Sequence, residues 1–276
     1  MIDRRLPLTE VMAFRSVVLT YFREHGRVLP WRNTDDPYEI LVSEFMLQQT
    51  QVPRVLKAYP VFLSRFPSVH RLAEVSQPDV LVAWQGLGYN RRALYLHRTA
   101  RQVVDGYSGI IPDDVSRLER FPGIGHATAS AICAFAYNQP TVFIETNIRT
   151  VFIHHFFAGE PTVSDKDILP LVDQTVDTDD PRIWYHALMD YGVALKGAFG
   201  NPSRRSTSYT RQSPFQGSDR QLRSSILRII LAEKRISDHR LTTRICADRN
   251  RLNRIVASLI EDGFIGRDED GIFLRS

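Results

Sequence analysis

The chain is 276 residues long, 43% hydrophobic and 24% charged, with a formal net charge of +4 and a pI near 9.2. Such a length suits one large domain or two modest ones, and that composition supports a real core and excludes global disorder. Two cysteines, Cys133 and Cys246, exclude a disulfide framework and a four-cysteine zinc site. The start, M-I-D-R-R-L-P, is charged and has no apolar signal segment, and no run approaches the roughly 18 apolar residues that cross a bilayer. The expectation is a reduced, cytoplasmic protein with no membrane partner, whose basic balance leans toward a polyanion.

Taken in chain order, apolar side chains recur at helical spacing over residues 11–22, 38–49, 54–65, 92–104, 126–137, 146–157 and 183–196. Asp113 and Asp114 can cap a short helix that ends near Pro122. Strand alternation is nearly absent, so residues 1–199 read as one all-helical unit. Residues 200–217 turn rich in Ser, Gly, Pro and Arg and read as a linker. Between Arg182 and Arg228 there are eight Lys or Arg against two acids, which suits either a phosphate backbone or a solvated tether. Residues 218–276 read as a small domain: a helix over 219–234, one from Asp238, and one ending near Glu261 with Gly263 at its C-cap. Phe264-Ile265 and Ile272-Phe273-Leu274 then flank a G-R-D-E-D-G turn as a β-hairpin. Three helices and a hairpin make a winged helix-turn-helix plan, which binds DNA or protein.

Residues 118–130 read L-E-R-F-P-G-I-G-H-A-T-A-S. A short helix stops at Pro122, Gly123 and Gly125 flank Ile124, and a new helix begins at once. The glycines permit a tight turn, Ile124 can plug into the core, and the amides from His126 to Thr128 open the next helix as an anion site. A helix-hairpin-helix of this kind grips DNA phosphate without reading sequence. Its carbonyls can also hold a monovalent cation.

Two acids suit chemistry that needs one protonated and one ionised carboxyl. Glu44 sits in S-E-F-M-L-Q-Q-T among Phe45, Met46 and Leu47, a setting that raises a carboxyl pKa; an exposed helix-start glutamate is the plainer alternative. Glu145 follows the apolar run Val142-Phe143-Ile144 and can cap the next helix, with Asn147 placed to orient it or to touch the DNA backbone. His97, His154 and His155 match no metal-ligand spacing, and no metal is expected from side chains. Arg91 and Arg92 read as phosphate contacts or solvated cations, and Asp190 and Tyr191 as structural.

The ordered motifs P-W-R (30–32), S-E-F-M-L-Q-Q-T-Q-V (43–52), W-x-G-L-G-Y-N-R-R-A-x-x-L-H (84–97), F-P-G-I-G-x-A-T-A (121–129) and M-D-Y-G (189–192) closely resemble adenine-specific mismatch glycosylases of the MutY type, within the endonuclease III superfamily. The resemblance covers about residues 10–200. It implies an all-α, two-lobed helix-hairpin-helix glycosylase fold with the active site in the cleft. Glu44 would be the general acid that protonates adenine and later helps to activate water, and Glu145 would stabilise the oxocarbenium ion. Gln48 and Gln49 would enter the vacated duplex space, Tyr89 would lie beside the opposite base, and Arg32 and Met46 would line the substrate pocket. The partner would be double-stranded DNA carrying a mispair or lesion, bound at the nucleoid by a monomer.

Four departures accompany the resemblance. Glu145-Thr146 stands where the family has an aspartate and a glycine, and one extra methylene moves a carboxylate by roughly 1.5 Å. Residues 193–206 hold no cysteine, so the family's iron–sulfur cluster is expected to be absent. Ala127 stands where bifunctional relatives place a Schiff-base lysine, so hydrolysis without strand cleavage is expected. The C-terminal region does not resemble the domain that reads oxidised guanine. The sequence therefore reads as a monofunctional adenine glycosylase of base excision repair without a cofactor. The alternatives are a glycosylase for another base, such as thymine or uracil opposite guanine, and a non-catalytic DNA-binding protein.

Overall fold

The computed structural model describes residues 5–245 and 247–275; Cys246 and the first four residues of the charged start lie outside them. In chain order it runs α1 (Leu8–His25), a 3-10 turn (Pro30–Arg32), α2 (Pro37–Leu47), α3 (Val52–Arg65), α4 (Val69–Glu74), α5 (Gln77–Ala83) and α6 (Arg91–Tyr107). There follow α7 (Val115–Leu118), α8 (His126–Tyr137), α9 (Thr146–Phe156), α10 (Asp165–Thr175), α11 (Pro181–Phe199) and a second 3-10 turn (Pro202–Arg205). The C-terminal part is α12 (Asp219–Glu233), β1 (Arg235–Ile236), α13 (Asp238–Arg244), α14 (Arg249–Glu261), β2 (Ile265–Asp268) and β3 (Gly271–Leu274). Each helix expected from periodicity is present with ends moved by a few residues, and the expected cap of α7 is Asp114, which accepts from the Arg117 amide.

Three helices carry no stripe long enough to read. α4 and α5 have six and seven residues, about two turns or less. They start because Ser68 and Ser76 accept the amides of Arg71 and Asp79. α10 contains Pro170, which breaks the pattern of a good helix former. It opens on a capping box in which the Ser164 hydroxyl and the Asp167 carboxylate serve each other's backbone.

The chain forms two compact units, each assembled from separated segments. The first holds the chain up to Glu44 and Ile111–Arg211. Its core is aromatic: Phe14 of α1 meets Phe152 and Phe156 of α9 edge-on at 5.4 and 5.0 Å, and Trp184 of α11 at 5.8 Å. Such pairs contribute about 0.5–1.5 kcal/mol each beyond area burial, and they fix α1, α9 and α11 as one layer. Residues 200–211, which follow α11, belong to this unit. The Arg205 guanidinium donates to the carbonyls of Phe157 at 2.6 Å and Glu160 at 2.8 Å, and the Val163 amide donates to Arg205 O at 2.9 Å. The first half of the basic stretch is thus pinned down, with Arg205 serving carbonyls past the end of α9 that no helical amide reaches.

The second unit holds Phe45–Ile110 and the residues from Gln212 onward. α3 and α5 lead into the edge-to-face ring cluster of Phe62, Phe66 and Trp84. The C-terminal helices carry a three-stranded antiparallel sheet in the order β1-β3-β2, with Ile236 opposite Ile272 and Ile265 opposite Leu274. Helix, strand, two helices and a two-stranded wing is the expected winged plan. β1, only two residues long, is the piece that alternation could not show. This module is docked within its unit: Gln77 of α5 donates to Gly263 O at 2.8 Å, and Arg91 of α6 donates to Asp262 at 2.5 Å, a carboxylate that Arg223 of the module's own α12 also holds.

Candidate active site

Glu145 lies at the N-cap of α9. The preceding run enters the core through Phe143, whose ring packs on Tyr185 at 4.3 Å, and this carries the next side chain inward. One carboxylate oxygen, Oε1, accepts the amides of Asn147 at 2.6 Å and Ile148 at 2.8 Å. The other, Oε2, accepts Asn147 Nδ2 at 3.2 Å, and Asn147 Oδ1 in turn accepts Lys196 Nζ at 2.6 Å. Burial pushes the Glu145 carboxyl above its usual range, and the Ile148 amide, the Lys196 charge, the Asn147 amide and the Arg149 charge pull it back.

Glu44 is the last residue of the first unit's opening segment, on α2 after the fully buried Ile40, Leu41 and Val42. Among the described residues no comparable set of donors reaches its carboxyl. Burial first, and the nearby Glu145 charge second, push it up to about 8. The two acids are therefore close enough to repel, and the surroundings treat them differently. One is wrapped in donors that favour the anion; the other is left where the proton is the cheaper solution. Burial raises both carboxyls, and the donor geometry distinguishes them: three donors on Glu145 suit a carboxylate, and Glu44 is the one placed to hold a proton.

The hairpin between α7 and α8 belongs to the same unit. Gly123 has φ +79°, a left-handed value that favours glycine, and Ile124 is buried with its amide donating to Phe121 O at 3.2 Å. Gly125 behaves otherwise than a tight-turn glycine: φ is −95°, and a Cβ there would meet nothing within 4 Å. Nothing among the described residues requires glycine at 125: its φ is one that any residue adopts, and the space beside it is open. Gly125 is the N-cap of α8 with no side-chain cap, and Thr128 is half-buried in the first turn. The exposed His126 ring faces Glu119 through Nδ1 at 2.8 Å.

Comparisons with known proteins bear on this geometry. Residues 42–168 match the family model described as HhH-GPD superfamily base excision DNA repair protein. An adenine DNA glycosylase of Mycobacterium tuberculosis is 32% identical over 93% of this chain and 91% of its own length. One from Mycolicibacterium smegmatis is 31% identical over 93% and 94%. A thermostable thymine-DNA glycosylase aligns with a TM-score of 0.63 and 25% identity, over 72% of this chain and 96% of that one. The chain belongs to the HhH-GPD superfamily of base excision DNA repair proteins. It is a DNA N-glycosylase, and DNA is its substrate. The mycobacterial matches take in more of the chain than residues 10–200 could supply, so the likeness extends into the C-terminal region.

The other expected site residues of this HhH-GPD protein fall in distinct settings. The Arg32 side chain is only 7% exposed, and its guanidinium donates to both Asp190 oxygens at 2.8 Å and to Arg27 O at 3.0 Å. Asp190 also accepts the Arg27 amide at 2.7 Å, so the structural reading of Asp190 is the right one and the Arg32 charge is spent on it. Met46 is fully buried. Gln48, Gln49 and Tyr89 lie in the second unit, and Gln49 and Tyr89 have left-handed backbones, φ +53° and +46°. Tyr89 is partly exposed, and its hydroxyl accepts from Arg220 at 2.9 Å and from Gln212.

Two cations have roles that differ from what their sequence settings suggest. Arg92 is neither a phosphate contact nor a solvated cation. Its buried guanidinium donates to Phe45 O, Met46 O and Gln48 O at 2.6–2.9 Å, and to Thr50 Oγ1, Leu87 O and Gly88 O at 2.9–3.3 Å. It thereby ties the end of α2 to the glycine-rich turn that presents Tyr89. Burial lowers its pKa to about 10, still charged at neutral pH. Lys196 was read only as part of a cysteine-free stretch; a lone lysine in the apolar end of α11 was the available signal. Among the described residues no group of three or more His, Cys, Asp or Glu is gathered as metal ligands would be. Residues 193–206 offer no thiol and the chain holds two cysteines, so the side chains present do not fit a four-thiolate iron–sulfur cluster.

Proposed function

We propose that this glycosylase hydrolyses the N-glycosidic bond of a mispaired adenine, without cleaving the strand and without a cofactor. The observation that carries the reading is the unequal treatment of two neighbouring acids. Glu44, protonated at neutral pH, gives its proton to the leaving base as the C–N bond breaks and its electron pair departs with the base. Glu145, anionic on the α9 amides, stabilises the positive charge left on the sugar until water adds, and Glu44 takes up a proton from that water. The name shared by the mycobacterial relatives supports adenine, and Ala127 in place of a lysine supports hydrolysis.

DNA contacts follow residue by residue in the same proposal: the α8 start, Gly123 to His126 with Thr128, grips a phosphate; Gln48, Gln49 and Tyr89 fill the space beside the extruded nucleotide; Met46 and Arg32 support the pocket. The hairpin carbonyls can share a monovalent cation, and the protein acts as a monomer. Residues 1–199 are proposed as the glycosylase segment and 218–276 as an assisting winged module, with the basic linker 200–217 held at its first half by Arg205. A second reading, thymine or uracil opposite guanine, is favoured by the likeness to a thymine-DNA glycosylase and by Glu145-Thr146. The test is a panel of duplexes with different mispairs, incubated with protein and then cleaved with alkali. Adenine release that falls by about 10²–10⁴-fold in Glu44→Gln is expected; intact adenine mispairs and cut guanine·thymine duplexes would establish the second reading instead.

A further inference from the structure

We infer that Lys196, acting through the side chain of Asn147, is the positioning residue that locks the Glu145 carboxylate in place and keeps it an anion. The inference rests on the role proposed for Glu145 and adds the device that maintains it.

The geometry is a relay across two helices. Lys196 Nζ donates to Asn147 Oδ1 at 2.6 Å, which turns the Asn147 Nδ2 group toward Glu145 Oε2 at 3.2 Å. A lysine has donors only, so it fixes the orientation of the amide, and the amide can then only donate to the acid. With the two α9 amides on Oε1, three donors meet one carboxyl, an arrangement that suits the anion and leaves a bound proton badly placed. α11 is shaped for this. Four residues before Lys196 stands Gly192, where a Cβ would lie 2.5 Å from Asn147 O and 2.7 Å from Asn147 Cβ. The absent side chain lets the start of α9 sit against α11, within reach of the lysine one turn on.

The charges facing Glu145 are few. Glu44 of α2 opposes its ionisation, and Arg149 of α9 and Lys196 of α11 favour it. Arg149 is engaged elsewhere: it donates to both Asp165 oxygens at 2.7 and 2.8 Å, and Ser208 donates to that same carboxylate at 3.0 Å. Lys196 is therefore the cation available to offset Glu145, and its own partial burial strengthens the interaction between them.

The test uses full-length protein labelled with 13C at the glutamate carboxyl carbons, the Glu145 signal being assigned by its loss in Glu145→Gln. Carboxyl titrations and single-turnover rates against pH are measured on wild type, Lys196→Met, Lys196→Arg and Asn147→Ala. In Lys196→Met the Glu145 midpoint should rise by about one pH unit, and the acid limb of the rate profile should rise with it, with a loss of about tenfold on that limb. Duplex affinity should hold within about twofold, Lys196→Arg should restore most of the shift, and Asn147→Ala should move the midpoint the same way. An unmoved Glu145 midpoint in both Lys196→Met and Asn147→Ala overturns the inference, as does a rate loss with an unchanged profile. If wild type spares adenine mispairs while the midpoint still moves, the proposed substrate fails and the positioning role stands.

Discussion

At the scale of single residues, the proton proposed for transfer from Glu44 also bears on stability. Its carboxyl rises from an ordinary 4.5 to about 8, burial first and Glu145 second. The folded protein therefore binds this proton more tightly than the unfolded chain does. The benefit is whole below about pH 4.5 and is lost as pH climbs toward about 8. Glu44→Gln removes the titration, so it should be inactive yet more stable than wild type at alkaline pH. Discounted for partial exposure, the gain is about 1–3 kcal/mol. Urea unfolding at a series of pH values checks it; equal dependence on pH in both proteins would show that Glu44 is not buried with its proton. The sequence disclosed Glu44 and Glu145 because acids beside apolar runs are rare and legible. Lys196 and Arg92 were not legible, because a cation's role is set by what the fold puts around it.

At the scale of elements, two glycines differ in whether the fold itself requires them. Gly125 has an extended backbone and open space where a Cβ would go. Gly125→Ala should leave stability within about 0.5 kcal/mol of wild type and weaken duplex binding by about tenfold, since the methyl would stand where a phosphate approaches. Gly192 is the opposite case, pressed on the backbone of Asn147. Gly192→Ala should cost about 1–3 kcal/mol and reduce the single-turnover rate by pushing the start of α9 away from Lys196. Calorimetry together with a binding titration checks both; equal thermal behaviour of the two variants would contradict the assignment. The long helices were legible from the sequence because their stripes repeat over several turns. α4 and α5 were not, since a helix of two turns has no period to display, and α10 was hidden by Pro170.

At the scale of the whole molecule, chain order and spatial grouping differ. Residues 45–110 and the segment from Gln212 onward make one unit, joined by Gln77 on Gly263, Arg91 on Asp262 and Arg220 on Tyr89. Removing residues 212–276 should therefore do more than delete a tail. Hydrogen exchange should speed up in α5 and α6, whose partners are lost, while α9 and α11 of the first unit keep their protection. Unchanged exchange in α5 and α6 would mean that the C-terminal module is a passenger.

By itself the sequence determined the helical class, the winged C-terminal plan, the hairpin turn and the two acids, because all of these are written in local periodicity, in punctuation by glycine and proline, and in residue type. Only the tertiary structure decided which cations those acids and carbonyls meet. Arg32 went to Asp190, Arg92 to the end of α2, Arg205 to the end of α9 and Lys196 to Asn147. A charge is long-ranged and its cost depends on burial, so its partner is chosen by the packing of distant segments and leaves no mark in the residues next to it.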